Sequence, residues 1–163
     1  MIPLAVRSAN VVGCLPDKMG SAGGEECEWL EVDIVSRTVL DVCGFEIGQI
    51  DGKRLAYNIV HPKSFSWKDD FLPLLRAAGV HFETAVYPKW LERLRNSEVD
   101  VEMNPSRKLL EFWGKQNEKA QGRGRIKFDT VPAEEISDSL RTAPRVVDGA
   151  LVKELVEAWR EVS

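Results

Sequence analysis

The side chains that could carry chemistry in this sequence are few and widely spaced. The thiols are Cys14, Cys27 and Cys43, and the imidazoles are His61 and His81. No two cysteines form a C-x-x-C pair, and neither histidine stands at zinc-ligand spacing from a cysteine, which argues against a tetrahedral metal site. An odd number of cysteines fits reduced thiols, so a cytoplasmic location is expected. His61, beside Pro62, offers general acid–base chemistry with Asp69 or Asp70, but no motif fixes that geometry. Gly20, Gly23 and Gly24 invite a phosphate-loop reading, which needs an apolar strand before them and a helix after them whose free amides face the anion. Pro16-Asp17-Lys18 precedes them instead, and the acidic Glu25-Glu26 follows, where negative charge opposes a phosphate. A G-x-S-x-G elbow is absent. A Tyr-x-x-x-Lys pair, which would lower a phenol's pKa with a nearby ammonium, is absent as well: His61 stands four residues after Tyr57, and Leu91 four after Tyr87. Arg123, Arg125 and Lys127 have only Phe128 as an aromatic neighbour and sit in a chain of net charge -4, so they read as a solvated linker and not as a nucleic-acid grip. The residues by themselves assemble no complete active site, and they assign no catalytic, cofactor-binding or metal-binding residue.

The elements that must position these groups are mixed, with more helix than strand. Pro3, Leu4, Ala5, Val6, Ala9 and Val12 predict a helix stopped by Gly13, and Cys14 to Gly24 reads as a loop. Trp29 to Val32 reads as a brief strand. Asp33 then caps a helix carrying Val35, Val39 and Val42 that stops at Gly44. Leu55 to Val60 predicts a well-buried strand. Ser66 with Asp69 three residues on has capping-box character, and Phe71, Leu72, Leu74 and Leu75 supply an apolar face up to Gly79. Pro73 fits only the first turn of that helix, or else kinks it. Val80 to Val86 alternates as a strand does, and Pro88 opens a helix with Trp90, Leu91 and Leu94. Asn104-Pro105 starts another that bears Leu109, Leu110, Phe112 and Trp113. Ala133 to Arg141 reads as a polar helix, and Asp148 caps a last one with Val152, Leu155, Val156 and Trp159 at helical spacing.

A length of 163 residues suits one ordinary domain, expected over 1–163 with a flexible loop at 16–28 and a linker at 120–126. A composition of 44% hydrophobic and 29% charged residues is that of a globular chain and not of a disordered one, and no uncharged apolar run reaches the length of a membrane span.

The middle of the chain, HPKSFSWKDDFLPLLRAAGVHFETAVYPKWLERLRNS (His61 to Ser97), resembles the C-terminal part of thioester reductase domains. Such domains end fungal nonribosomal peptide synthetase-like enzymes and some polyketide synthases. Further similar fragments follow in the same order: IPL (Ile2 to Leu4), CLPD (Cys14 to Asp17), EWLEVD (Glu28 to Asp33), NPSRKLLEFW (Asn104 to Trp113) and LVKELVEAW (Leu151 to Trp159). The family belongs to the extended short-chain dehydrogenase/reductase class and uses NADPH to release a carrier-bound thioester as an aldehyde or alcohol. Its glycine-rich cofactor loop and its Thr/Ser, Tyr and Lys catalytic residues have no matching positions here.

The resemblance implies an α+β, helix-rich substrate-binding lobe with a few short strands and no complete Rossmann domain. It implies that Leu15, Pro16, Trp67 and Phe71 line an acyl or phosphopantetheine channel, with hinge and core packing as the alternative for all of them. It makes Leu55 to Val60 a strand without its sheet neighbours, a route to self-association. The expected function is that of a truncated thioester-reductase-like protein of a secondary-metabolite pathway. It would bind an acyl carrier or complement a partner lobe, without NADPH chemistry of its own. Two alternatives stand beside it: a small α+β interaction module that dimerises or docks on a synthase, and an independent enzyme built on His61. Neither nucleic acid nor membrane is an expected partner.

Overall fold

The computed structural model describes residues 2–19, 26–44, 56–97, 104–120 and 127–161. In chain order the elements are α1 (Ile2–Val12), β1 (Cys14–Pro16), β2 (Glu26–Cys27), α2 (Val32–Val42), β3 (Phe65–Ser66), a π-helical turn (Trp67–Phe71), α3 (Leu72–Ala77) and β4 (Glu83–Ala85). They continue as α4 (Tyr87–Asn96), a 3-10 turn (Pro105–Leu109), α5 (Leu110–Ala120), α6 (Val131–Glu134), α7 (Asp138–Arg141) and α8 (Gly149–Glu161). The fold is helix-rich α+β with two-stranded sheets and no complete Rossmann domain. Chain contacts group it into two compact units. The first comprises Met1–Glu26, Ser66–Arg125 and Val147–Ser163, and the second Cys27–Phe65 and Ile126–Val146.

In the first unit, β1 and β4 pair in parallel with Leu15 opposite Thr84. The expected Cys14–Gly24 loop therefore begins as a strand instead. Gly13, at φ 67°, ends α1, and its carbonyl accepts from Glu83 N at 2.9 Å, so the helix stop and the strand start share one residue. Only Glu83–Ala85 of the alternating run 80–86 pairs as a strand, because its partner β1 is itself three residues long. Residues 20–25 of the expected loop at 16–28 and residues 121–126 of the expected linker at 120–126 lie outside the described residues, whereas Glu26–Cys27 forms β2 and Ala120 ends α5.

Pro73 explains an irregularity that the sequence flagged. Its ring has no N–H and collides with the carbonyl four residues back, so the preceding turn widens. Leu72 N accordingly donates to Trp67 O, a π-type bond, and the regular helix α3 starts only at Leu72. Ser66 Oγ accepts from Asp69 N at 3.0 Å, as the capping box requires, but Asp70 Oδ2, one residue further on, reaches back to Ser66 N at 2.8 Å. Helix α3 ends in a Schellman motif: Val80 N donates to Leu75 O and Gly79 N to Arg76 O, each at 3.0 Å. Gly79 takes φ 84°, a left-handed conformation that costs a residue with a Cβ about 1 kcal/mol.

Helix α4 buries Trp90, Leu91 and Leu94, as the sequence pattern promised, and starts one residue before the expected Pro88, so that Tyr87 completes an i, i+3, i+4, i+7 face. Its first free amide, Tyr87 N, donates to Asp17 Oδ1 at 3.1 Å, which places a carboxylate at the positive end of the helix. Trp90 and Trp113 of α5 meet edge to face at 5.5 Å, and Tyr87 Oη donates to Trp113 O. Burial pushes the Tyr87 phenol up to about 12. Ser106 Oγ donates to Leu4 O at 2.6 Å and so ties the 3-10 turn to α1. Asp148 caps α8 by accepting from Ala150 N and Leu151 N.

The second unit departs further from the sequence reading. Trp29 and Leu30 form no strand, and α2 begins at Val32, one residue before Asp33, which sits in its first turn. Of the expected strand Leu55–Val60, Leu55 lies outside the described residues and 56–60 are irregular: Asn58 Nδ2 donates to Asp129 O at 3.0 Å and no ladder forms. An unpaired sheet edge at this position is thus not a feature of the structure. The expected helix over Ala133 to Arg141 is broken into α6 and α7 by Ser137, whose hydroxyl accepts from Leu140 N at 3.3 Å and restarts the chain as a new cap.

Candidate functional site

Three of the residues implied as channel lining meet in one cluster of the first unit. Trp67 Nε1 donates to Pro16 O at 2.9 Å, and the Trp67 and Phe71 rings pack at 5.0 Å with a 36° tilt. Leu15 sits one residue before Pro16 on β1, facing Thr84 in register. The cluster is closed: Leu15 and Trp67 are 0% exposed and Phe71 1%, and Pro16 is buried. Local sequence explains the arrangement. The π turn offsets Trp67 from Phe71 by less than a full turn, which lets both rings enter the core together. The β1 strand, too short to satisfy all its own carbonyls, offers Pro16 O to the indole. As the structure stands, these residues form a packed, closed cluster that joins β1 to the π turn.

The titratable groups read from the sequence are committed elsewhere. His61 is 3% exposed; its Nε2 lies 2.8 Å from Pro144 O, and its Nδ1 accepts from Lys63 N at 2.9 Å. The tautomer protonated at Nε2 satisfies both contacts, so each ring nitrogen is used in holding the second unit together. Cys27 is buried, and its thiol is pushed up to about 12, mainly by desolvation and then by the neighbouring Glu28 carboxylate. Ser137 Oγ donates to Asp41 Oδ2 at 2.5 Å and lies 3.3 Å from Thr38 Oγ1, a buried polar knot between α7 and α2. Nothing positions an imidazole against that hydroxyl, and its role is to fasten two helices. Among the described residues no group of three or more His, Cys, Asp or Glu could hold a metal ion. No described helix is long and apolar enough to cross a membrane.

Two open features of the first unit lie away from the Trp67 cluster. A cavity of about 130 Å³ is lined by Val6, Arg7 and Asn10 of α1, Gly79 and Val80 beyond α3, and Val156, Trp159 and Arg160 of α8. Sequence reasoning missed it. The signal was present in part, as Arg7 and Asn10 interrupt an otherwise apolar helix one turn apart, but Arg160 joins them only through the tertiary fold. A wider, shallower groove runs along α4 past Lys89, Glu92 and Arg93 to Val11 and Val12. There Arg93 lies 3.6 Å from Glu83, and its guanidinium is held further in the charged state by the Cys14 thiol and by Glu83.

With this geometry in place, known proteins supply a second line of information. No protein-family model matches the chain. Over 156 residues, 95% of its length, it is 27% identical to non-reducing polyketide synthase AC of Didymella fabae. Over 159 residues it is 28% identical to the citrinin polyketide synthase of Monascus ruber. A shorter match of 112 residues, at 29% identity, joins it to the non-reducing polyketide synthase tazA of Aspergillus terreus. The chain spans only about 6% of the length of the first of these relatives. It is therefore similar, along nearly its whole length, to one segment of fungal non-reducing polyketide synthases.

Proposed function

We propose that this chain acts in a secondary-metabolite pathway of the polyketide type as the substrate-side lobe of a thioester-reductase-like unit. In this reading it binds a carrier-borne acyl thioester, or joins a lobe that supplies the nucleotide cofactor, and does not itself reduce the thioester. The observation that carries the reading is the match to non-reducing polyketide synthases across 95% of the chain. The ordered fragments from Ile2 to Trp159 that resemble thioester reductases narrow it to that unit. The sequence contains neither a Tyr-x-x-x-Lys pair nor a glycine loop in strand-to-helix context, which favours binding over NADPH chemistry. Leu15, Pro16, Trp67 and Phe71, the residues that the resemblance implies as channel lining, serve this function as the closed cluster that fastens β1 to the π turn. The test is NADPH-dependent reduction of an acyl thioester by the purified chain. The reading expects no turnover by the chain alone; turnover without any added partner would sink it.

A second reading, a small module that self-associates or docks on a synthase, draws on α2. Its outer face exposes Val32 (75%), Val39 (42%) and Leu40 (45%), apolar positions that α-helical spacing places close together. Sedimentation analysis separates the two. A monomer across the micromolar range removes self-association, whereas a concentration-dependent dimer abolished by Val39→Lys would favour it.

A further inference from the structure

We infer that the outer face of α2 pairs with the same face of a second copy of this chain, as an antiparallel helix pair whose two-fold axis passes beside Ser36. The inference rests on the self-association reading above and adds to it the partner's surface and its orientation.

Helix α2 is held to its own unit by one side only. Thr38 is 0% exposed and its hydroxyl lies 3.3 Å from Ser137 Oγ, so the Thr38 side is the one packed on α7. Val32, Ser36, Val39, Leu40 and the C-cap Cys43 are all exposed. Their spacing of i, i+4, i+7, i+8 and i+11 makes them one stripe on the side away from Thr38. No charged side chain interrupts it. Apolar surface of this kind gains by leaving water. Ser36, in the middle, is small, and its hydroxyl donates to Val32 O at 2.9 Å. It therefore permits close approach without requiring a polar partner.

Charge selects the occupant and its direction. Asp33 and Arg37 are exposed one turn apart on a single edge of the stripe, and neither forms an ion pair with a described residue. The other edge carries the half-buried Val35 and Val42. A two-fold axis perpendicular to the helices brings like edges together, so Asp33 meets the partner's Arg37 twice over and valines meet valines. A parallel pair would set both charges against valines. With the axis beside Ser36, Val32 faces the partner's Leu40. Asp33 then lies about 3 Å of helical rise from the level of the partner's Arg37, a gap that an arginine side chain spans. An 11-residue helix is about 16 Å long and buries less than the ~1,200 Å² at the low end of stable interfaces, so the dimer is weak and concentration-dependent.

The experiment is sedimentation equilibrium of the full chain under reducing conditions, from about 10 µM to about 1 mM, with circular dichroism confirming that each variant is folded. The parent should dimerise reversibly, and Val39→Lys should abolish the dimer. Asp33→Arg and Arg37→Asp should each weaken it at least about fivefold by setting like charges face to face, and the double exchange Asp33→Arg/Arg37→Asp should recover the parent's affinity to within about twofold. Direction is read by oxidation. In the antiparallel pair the two Cys43 positions stand about 21 Å apart along the axis, beyond the ~7 Å between Cα atoms that a disulfide allows, whereas the two copies of position 36 meet. Oxidation should therefore cross-link Ser36→Cys/Cys43→Ser and should not link the parent through Cys43. A monomer at every concentration would overturn both the pairing and the self-association reading, and would leave the face to a different protein. A dimer that Val39→Lys leaves intact would place the interface elsewhere. A dimer that Val39→Lys abolishes but the double exchange fails to restore, or one cross-linked through Cys43, would keep self-association and overturn the antiparallel pairing.

Discussion

Replacing Trp67 with Phe separates two roles that one residue could hold in this fold, a ligand-touching wall and a buried brace. The indole is 0% exposed, donates to Pro16 O at 2.9 Å and packs on Phe71 at 5.0 Å. Phenylalanine keeps a ring but deletes the donor, and the loss of a buried hydrogen bond costs about 1–3 kcal/mol. It also removes about three heavy atoms from a closed core, worth roughly 1–1.5 kcal/mol in lost transfer energy. The sum is about 2–4.5 kcal/mol. For a chain of this length each kcal/mol lowers Tm by roughly 2–4 °C, so the variant should melt roughly 4–18 °C below the parent. Thermal unfolding followed by near-UV circular dichroism reads this directly, since Trp67 lies among the aromatic side chains of the first unit. A brace has a second consequence: at a temperature where both proteins are folded, affinity for a carrier should change by less than about threefold, because the ring offers no surface to a ligand. A Tm drop under about 2 °C combined with lost carrier binding would refute this reasoning and make Trp67 a contact residue.

Four further outcomes follow from the same geometry. His61→Ala deletes both ring contacts, to Pro144 O and from Lys63 N, and should destabilise the second unit by about 2–4 kcal/mol. Hydrogen exchange of the amides in α2 and α7 reads this as loss of protection. Ser137→Ala removes the cap of α7 and the bond to Asp41, and should cost about 1.5–3 kcal/mol by denaturant titration, whereas Ser137→Thr should retain most of it. Gly79→Ala forces a Cβ into a left-handed turn and should lower Tm by roughly 2–4 °C, corresponding to about 1 kcal/mol. Cys27 and Tyr87 both hold their protons more tightly folded than unfolded, each pushed up to about 12. Their contribution is therefore fully present below the unfolded values and is lost as pH climbs toward 12, so stability should fall steadily above about pH 9.

The helices of the first unit were legible because their signals are local. Gly13 and Gly79 stop α1 and α3 where the sequence placed the stops, and Trp90, Leu91 and Leu94 recur at a spacing that a helix buries on one side. The strands were not. Cys14–Pro16 carries Pro16 and follows a glycine, so it reads as a loop; its pairing with Glu83–Ala85, about seventy residues away, supplies the ladder that no local pattern announces. Residues 56–60 fail in the opposite direction. Tyr57, Ile59 and Val60 have strand propensity, but propensity yields a strand only where a partner edge exists, and here the Asn58 side chain bonds to Asp129 O with no ladder beside it. The Ala133 to Arg141 segment hid its break because Ser137 is tolerated within a helix by composition, and it acts as a cap only once Asp41 draws its hydroxyl inward. The grouping of Pro16, Trp67 and Phe71 followed from resemblance, while their complete burial required the fold. The cavity of Arg7, Asn10 and Arg160 could not have been read from spacing, since its halves stand at opposite ends of the sequence.

The central claim is that this chain recognises an acyl thioester on a carrier. The most direct measurement is a calorimetric titration of the chain with a carrier domain from a fungal non-reducing polyketide synthase, supplied once with its phosphopantetheine arm acylated and once without the arm. The account predicts saturable binding of the acylated form, at least tenfold tighter than that of the bare domain. Equal affinity for the two forms, or binding of neither, would contradict it.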